Sequence, residues 1–182
     1  MTFIDSFVEY CKNMIIAVEE TIDLPPRVKK DKDKVKLLRE AINNLLKTLN
    51  EDMEAELRHA NNKHSDYDHA KKYFKEGKTV SYFIKNAKLF NLTKKAIEAS
   101  RNDIVNQLYW EDDITITYGF GQTIGKMHKG GTISDKDDKD LSAIRIGIIN
   151  IGEDENGVPI LKVKSSYPIP EKNRLFPWNR RY

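Results

Sequence analysis

Residues 141–169 read LSAIRIGIINIGEDENGVPILKVKSSYPI, two alternating apolar runs on either side of Asn156-Gly157. Asn-Gly tolerates the positive φ of tight hairpin turns, so the stretch predicts an antiparallel β-hairpin. With a loop of two or four residues, Ile144, Ile146 and Ile148 share a face with Leu161, Val163 and Tyr167, while Arg145, Lys162 and Lys164 point away. A three-residue loop with a bulge at Gly157 flips one strand relative to the other, so both registers stay open. A lone hairpin is only marginally stable, and this one requires a third strand or a helical layer.

The flanking chain supplies both. Just upstream, Ile114-Thr115-Ile116-Thr117-Tyr118 alternates with a period of two and predicts a strand. Glycines at 119, 121, 125, 130 and 131 and the charged run SDKDDKD separate it from the hairpin. Downstream, YPIPEKNRLFPWNRRY carries too many prolines for a regular element and reads as an extended arm.

Before Trp110 the period is helical. Phe3–Ile22 places apolar residues at 4, 7, 8, 11, 14, 15, 18 and 22, one helical face ended by Leu24-Pro25-Pro26. A long second helix is expected from about Asp33 to Ala60, on the stripe Val35, Leu38, Ile42, Leu45 and Leu49. Ser65-Asp66-Tyr67-Asp68 resembles a capping box and starts a short helix with Tyr67, Ala70 and Phe74, stopped by Gly77. Thr79 caps a further expected helix with Val80, Phe83, Ile84 and Ala87 on one side. Thr93 caps a last one with Ile97, Ile104, Val105 and Leu108 inward.

At 182 residues, 39% hydrophobic and 32% charged, the chain suits one globular core with a small appendage. No apolar run approaches the ~20 residues of a membrane span. The first helix carries Asp5, Glu9, Glu19 and Glu20 and lacks the basic start of a signal peptide. Cys11 is the only cysteine, which excludes an internal disulfide and a cysteine-cluster metal site and points to a reducing, intracellular setting. The net charge of +3 is unevenly spread: residues 59–101 carry ten Lys and Arg against four acids, whereas 111–182 carry eleven of each.

Three candidate chemistries fit their motifs poorly. His59, His64 and His69, with Asp66 and Asp68 between, offer metal-ligand types. His64 and His69 are five apart, off a common helical face, and Ser65 and Asp68 serve as helix caps. The glycine run lacks the phosphate-loop pattern, because position 120 is Phe and 127 is Met, and Gly125 falls one residue late for a dinucleotide fingerprint. Asp135, Asp137 and Asp140 resemble a calcium loop in composition only. Cys11 sits on an apolar stripe as a small core residue. No nucleophile–base context frames any serine.

Two segments read as binding surfaces. Lys71, Lys72, Lys75, Lys78, Lys85, Lys88, Lys94 and Lys95 can neutralise phosphates, with Tyr73, Tyr82 or Phe90 to stack on bases. The arm carries Leu175, Phe176, Trp178 and Tyr182 with Arg174, Arg180 and Arg181, the residue types that dominate interfaces. The expected architecture is therefore α+β: a helical bundle over 1–112, a small antiparallel sheet over 113–170 and an extended arm over 171–182. The leading functional expectation is a non-catalytic interaction protein, a subunit of a symmetric oligomer such as a viral or phage-type connector, in the cytoplasm or a virion, with no cofactor or metal. The alternatives are a nucleic-acid binder using the 71–95 helices and a metal-dependent hydrolase on the His59–His69 cluster.

Overall fold

A computed structural model describes residues 24–74, 76–129 and 138–171. The first expected helix with Cys11, Lys75, and the arm residues Arg174, Leu175, Phe176, Trp178, Arg180, Arg181 and Tyr182 lie outside the described residues.

Proline at the first helical position suits a helix start, since its missing N–H is an orphan there in any case, and α1 (Pro26–Lys30) opens this way. The Asp31 side chain then accepts from the Lys34 amide and caps α2 (Lys32–Glu51). This helix buries Val35, Leu38, Ala41, Ile42, Leu45, Leu46 and Leu49, a stripe wider than a two-residue-per-heptad seam and suited to a globular core. The helix expected to reach Ala60 instead stops at Asp52, whose carboxylate accepts from the Ala55 amide and caps α3 (Met53–Glu56). A short acceptor side chain competes with the helical backbone, and here it wins. The chain then forms α4 (Arg58–His64) and α5 (Tyr67–Phe74), with Leu57 buried between α3 and α4. The cap of α5 is Asp66, which accepts from the His69 amide at 2.9 Å, while the Ser65 hydroxyl is buried without a hydrogen-bond partner. Gly77, at φ +70°, ends this segment as expected.

The helix expected after Thr79 is a strand, β1 (Val80–Phe83). Val80, Tyr82 and Phe83 are buried, and β-branched and aromatic side chains suit a pleated surface once a partner strand is present. The expected helix starting at Thr93 is two helices, α6 (Leu89–Ala99) and α7 (Arg101–Leu108), with Ser100 between them. Thr93 is no cap. It lies inside α6, fully buried, its hydroxyl 2.8 Å from that of Ser166.

The remaining strands are β2 (Asp113–Gly119), β3 (Gly125–His128), β4 (Lys139–Leu141), β5 (Ala143–Glu153) and β6 (Pro159–Ile169). They build two antiparallel three-stranded sheets, ordered β2-β5-β6 and β1-β3-β4. The α+β class therefore fits, but strand β1 falls inside the part expected to be helical, and there are two small sheets instead of one.

The hairpin closes on Asp154 and Val158, with Gly157 at φ +76°, so its loop is the three residues 155–157. The Asp154 carboxylate accepts from the amides of Asn156 and Val158 and holds the turn. Two register shifts follow, one between Asn150 and Glu153 and one between Gly147 and Ile148. Val163 pairs with Ile148, but past the second shift Tyr167 pairs with Arg145, not on the isoleucine face. The shift sets Tyr167 beside Arg145 on the outer face of the sheet.

Ile114, Ile116, Ile144, Ile146 and Ile148 form the inner face of the larger sheet, in one core with residues of α2, α6 and α7 such as Leu38, Ile42, Ile97 and Ile104. A second small cluster holds Ala70, Phe74, Val80 and Tyr82. The sheets meet where Gly125 lies against Pro168: a Cβ there would sit 2.6 Å from Pro168 and from the Tyr82 carbonyl oxygen. Among the described residues no helix is long and apolar enough to cross a membrane.

Candidate functional site

The three clustered histidines do not converge on one point: His59 and His64 lie near each other, and His69 is turned to Asp66. His64 ends α4, is buried, and has its Nδ1 on the carbonyl of Ser81 in β1. A carbonyl can only accept, so Nδ1 carries the proton and Nε2 keeps its lone pair. Burial pushes the His64 pKa down to about 4. Its ring stacks on Tyr167 at 5.4 Å, with His59 at 6.1 Å. His69 bonds Asp66 at 2.9 Å at the start of α5. Among the described residues no three His, Cys, Asp or Glu side chains converge as a metal site would require. Of the calcium-like loop, Asp135 and Asp137 lie outside the described residues and Asp140 is an exposed residue of β4.

The lysine segment does not form one helical face. Lys71 and Lys72 lie on α5, Lys78 precedes β1, Lys85 and Lys88 sit in the turn before α6, and Lys94 and Lys95 lie on α6. Four of them are already engaged. Lys78 pairs with Glu76 at 2.6 Å and Lys94 donates to Asn50 at 3.1 Å. Lys71 and Lys95 lie over the rings of Tyr67 and Phe120. Beside Lys88, the side chains of Asn86, Asn91, Gln122 and Thr123 line an open groove of about 510 Å³.

Sequence reasoning missed a buried polar group in the small sheet. His128 Nδ1 lies 2.7 Å from one carboxylate oxygen of Asp138, and the Tyr82 hydroxyl donates to the other at 2.7 Å. The His128 and Asp138 side chains are 1% and 3% exposed, and Phe74 stacks on the imidazole at 3.7 Å. The pair is enclosed, with Phe74 against the imidazole and Tyr82 on the carboxylate. It ties β3, the chain entering β4, and β1 together. Nothing in the sequence announces it, because Tyr82 is brought near only by strand pairing.

The outer face of the larger sheet is the other feature that register creates. Across its three strands run the rows Asp113–Ile149–Lys162, Thr115–Gly147–Ser165 and Thr117–Arg145–Tyr167. Thr117, Arg145, Ser165 and Tyr167 are half-buried, and His64 of α4 stacks on Tyr167. The Arg145 Nε is buried and has no hydrogen-bond partner. At the hairpin end of the same sheet, Trp110, Ile151 and Ile160 are 53%, 52% and 41% exposed. The Asn150 amide bonds the Asp112 carbonyl, which brings the chain after α7 to that end.

No protein-family model and no curated protein matches the sequence. Among solved structures, a chain in a crystal structure of a CdiA-CT/CdiI complex from Y. kristensenii is 20% identical, with a TM-score of 0.46 over 59% of this chain and 95% of that one. The likeness is too slight to bear on fold or function.

Proposed function

We propose that this chain is a non-catalytic interaction protein that pairs with a second copy of itself through the hairpin end of its larger sheet. One observation carries the reading. Three of the four large apolar side chains exposed among the described residues, Trp110, Ile151 and Ile160, belong to that one end. Alternation along β6 turns Ile160 away from the buried Leu161, so water, not core, faces it. Single exposed apolar groups are ordinary, whereas a group of them at one place marks an interaction surface.

Charge selects the occupant. The hairpin tip carries Glu153 and Glu155, both exposed, while exposed Lys162 follows on the returning strand, and Lys164 beyond it pairs with Asp113. A surface with acids at one end and an exposed lysine next to them is complementary to its own copy about a twofold axis. The enclosure of the His128–Asp138–Tyr82 group favours a non-catalytic role. The nucleic-acid alternative through the 71–95 lysines has less behind it, since those lysines spread over several elements and four have partners. The narrower reading as a viral or phage-type connector has no structural feature behind it.

Light scattering across a protein concentration series tests the proposal. The wild type is expected to reach dimer mass. Ile151→Lys with Ile160→Lys should hold monomer mass with an unchanged far-ultraviolet circular dichroism spectrum. A wild type that stays monomeric throughout removes the reading.

A further inference from the structure

A guanidinium offers five N–H donors in a rigid fork and stays charged at any pH a protein tolerates. Such a group is ordinarily answered by acceptors when it is even partly removed from water, because an unmade bond to a charged group is costly. Arg145 breaks that pattern. It sits on the central strand of the larger sheet, half-buried, and its Nε is shut off from water with no acceptor. Among the described residues no carboxylate pairs with it. Asp113, on the same sheet face, lies two rows away and binds Lys164 at 2.6 Å, and the Glu171 carboxylate, over Gly119 in the neighbouring row, accepts from the Ser142 hydroxyl at 3.0 Å.

The neighbours of Arg145 are hydroxyls. Thr117 and Tyr167 flank it directly across β2 and β6, and Thr115 and Ser165 fill the next row on either side of Gly147. Gly147 lets the Ser165 hydroxyl lie close over the backbone of that row, for a Cβ there would come within 2.8 Å of it. Tyr167 is fixed by His64, whose ring stacks on it and is itself held on the Ser81 carbonyl. A fork-shaped cation ringed by several O–H donors has more donors than the two oxygens of a carboxylate can use. A tetrahedral phosphate, with three or four acceptor oxygens and a bidentate match to guanidinium, uses them.

We propose that the Thr117–Arg145–Tyr167 row, with Ser165, is a phosphate-binding site. Arg145 grips two oxygens of the phosphate and the hydroxyls of Thr117, Tyr167 and Ser165 take the others. The site stands apart from the hairpin end and does not depend on self-association. The phosphate belongs to a free anion, a mononucleotide or a nucleic-acid strand, one chemistry from three sources.

Calorimetric titration of the full chain tests this with inorganic phosphate, a 5′-mononucleotide and short single-stranded DNA and RNA in chloride buffer. At least one probe should bind saturably. Arg145→Gln should weaken that binding at least tenfold and Tyr167→Phe several-fold. Arg145→Lys, which keeps the charge but loses the fork, should fall between the wild type and Arg145→Gln. The source is read from which probe binds, and a strand shows in addition a steep fall of affinity with salt. Thermal melting checks each variant. Arg145→Gln removes an unanswered charged donor and should melt no lower than the wild type. The proposal fails if no phosphate probe binds the wild type, or if a probe binds Arg145→Gln or Arg145→Lys as tightly as the wild type.

Discussion

At the scale of single residues, His64 shows how burial converts a titratable group into a stability device. Unfolded, its imidazole takes a proton near 6.5; folded, only near 4, because burial disfavours the charged ring. Between those values the unfolded chain binds more protons, so the stabilising contribution is complete above 6.5 and is lost as the pH falls through 4. A shift of this size corresponds to about 3 kcal/mol. Urea unfolding at a series of pH values should show this loss in the wild type and a flatter profile in His64→Phe, which keeps a ring against Tyr167. Matching profiles would place the acid sensitivity elsewhere. Gly125 is the steric counterpart. Its Cα faces Pro168 and the Tyr82 carbonyl so closely that an added Cβ would lie 2.6 Å from each, and one of those contacts is backbone and cannot move aside. Gly125→Ala should therefore destabilise by about 1–3 kcal/mol or more, the range for overpacking, read as a lower melting temperature. An unchanged melting temperature would mean that the two sheets have slack at their joint.

At the scale of elements, helix α6 and strand β6 are joined inside an otherwise apolar core by the hydroxyl pair of Thr93 and Ser166, both 0% exposed. Thr93→Val keeps the shape and strands the Ser166 hydroxyl, which should cost about 1–3 kcal/mol. Adding Ser166→Ala should restore part of the loss, since removing both partners leaves no unmet donor. A double variant no better than the single one would put the loss down to packing. That pair also marks where reading the sequence stops. The stripe of α2, strand β2 and the hairpin were legible because each is written in one local period. Strand β1 was not, since Val80, Phe83, Ile84 and Ala87 also fit a helical face, and only pairing with β3 decides between the two. The same holds for the candidate sites. Arg145 was legible as pointing away from the core, but its place beside Tyr167 depends on the register shift after Gly147. Asp138 meets Tyr82 only because two strands carry them together. Local patterns specify elements; bulges and strand partners, set by tertiary packing, specify which side chains meet.

At the scale of the whole molecule, the two sheets differ greatly in what supports them. The larger one closes on the principal core with α2, α6 and α7, while the smaller one shares a four-residue cluster with α5. Two members of that cluster are helical, and Phe83 of β1 is buried in the principal core instead. The three short strands thus have little apolar burial of their own to set against the entropy of ordering them. The smaller sheet must therefore draw its stability from the larger. Three links carry the connection: Gly125 against Pro168, His64 of α4 bonded to Ser81 and stacked on Tyr167, and Phe83 of β1 inside the principal core. With both sheets leaning on the same contacts, partial unfolding of the smaller one exposes core of the larger. Urea unfolding should then be a single transition in which far-ultraviolet circular dichroism and near-ultraviolet tyrosine signals, dominated on the small-sheet side by Tyr67, Tyr73 and Tyr82, coincide. Gly125→Ala, which strikes the joint itself, should lower both midpoints together. Two separated transitions in the wild type, or a variant whose tyrosine signal alone moves, would show that the smaller sheet folds on its own terms. In that case the contacts between the sheets would act as a dock between two units and not as a shared core.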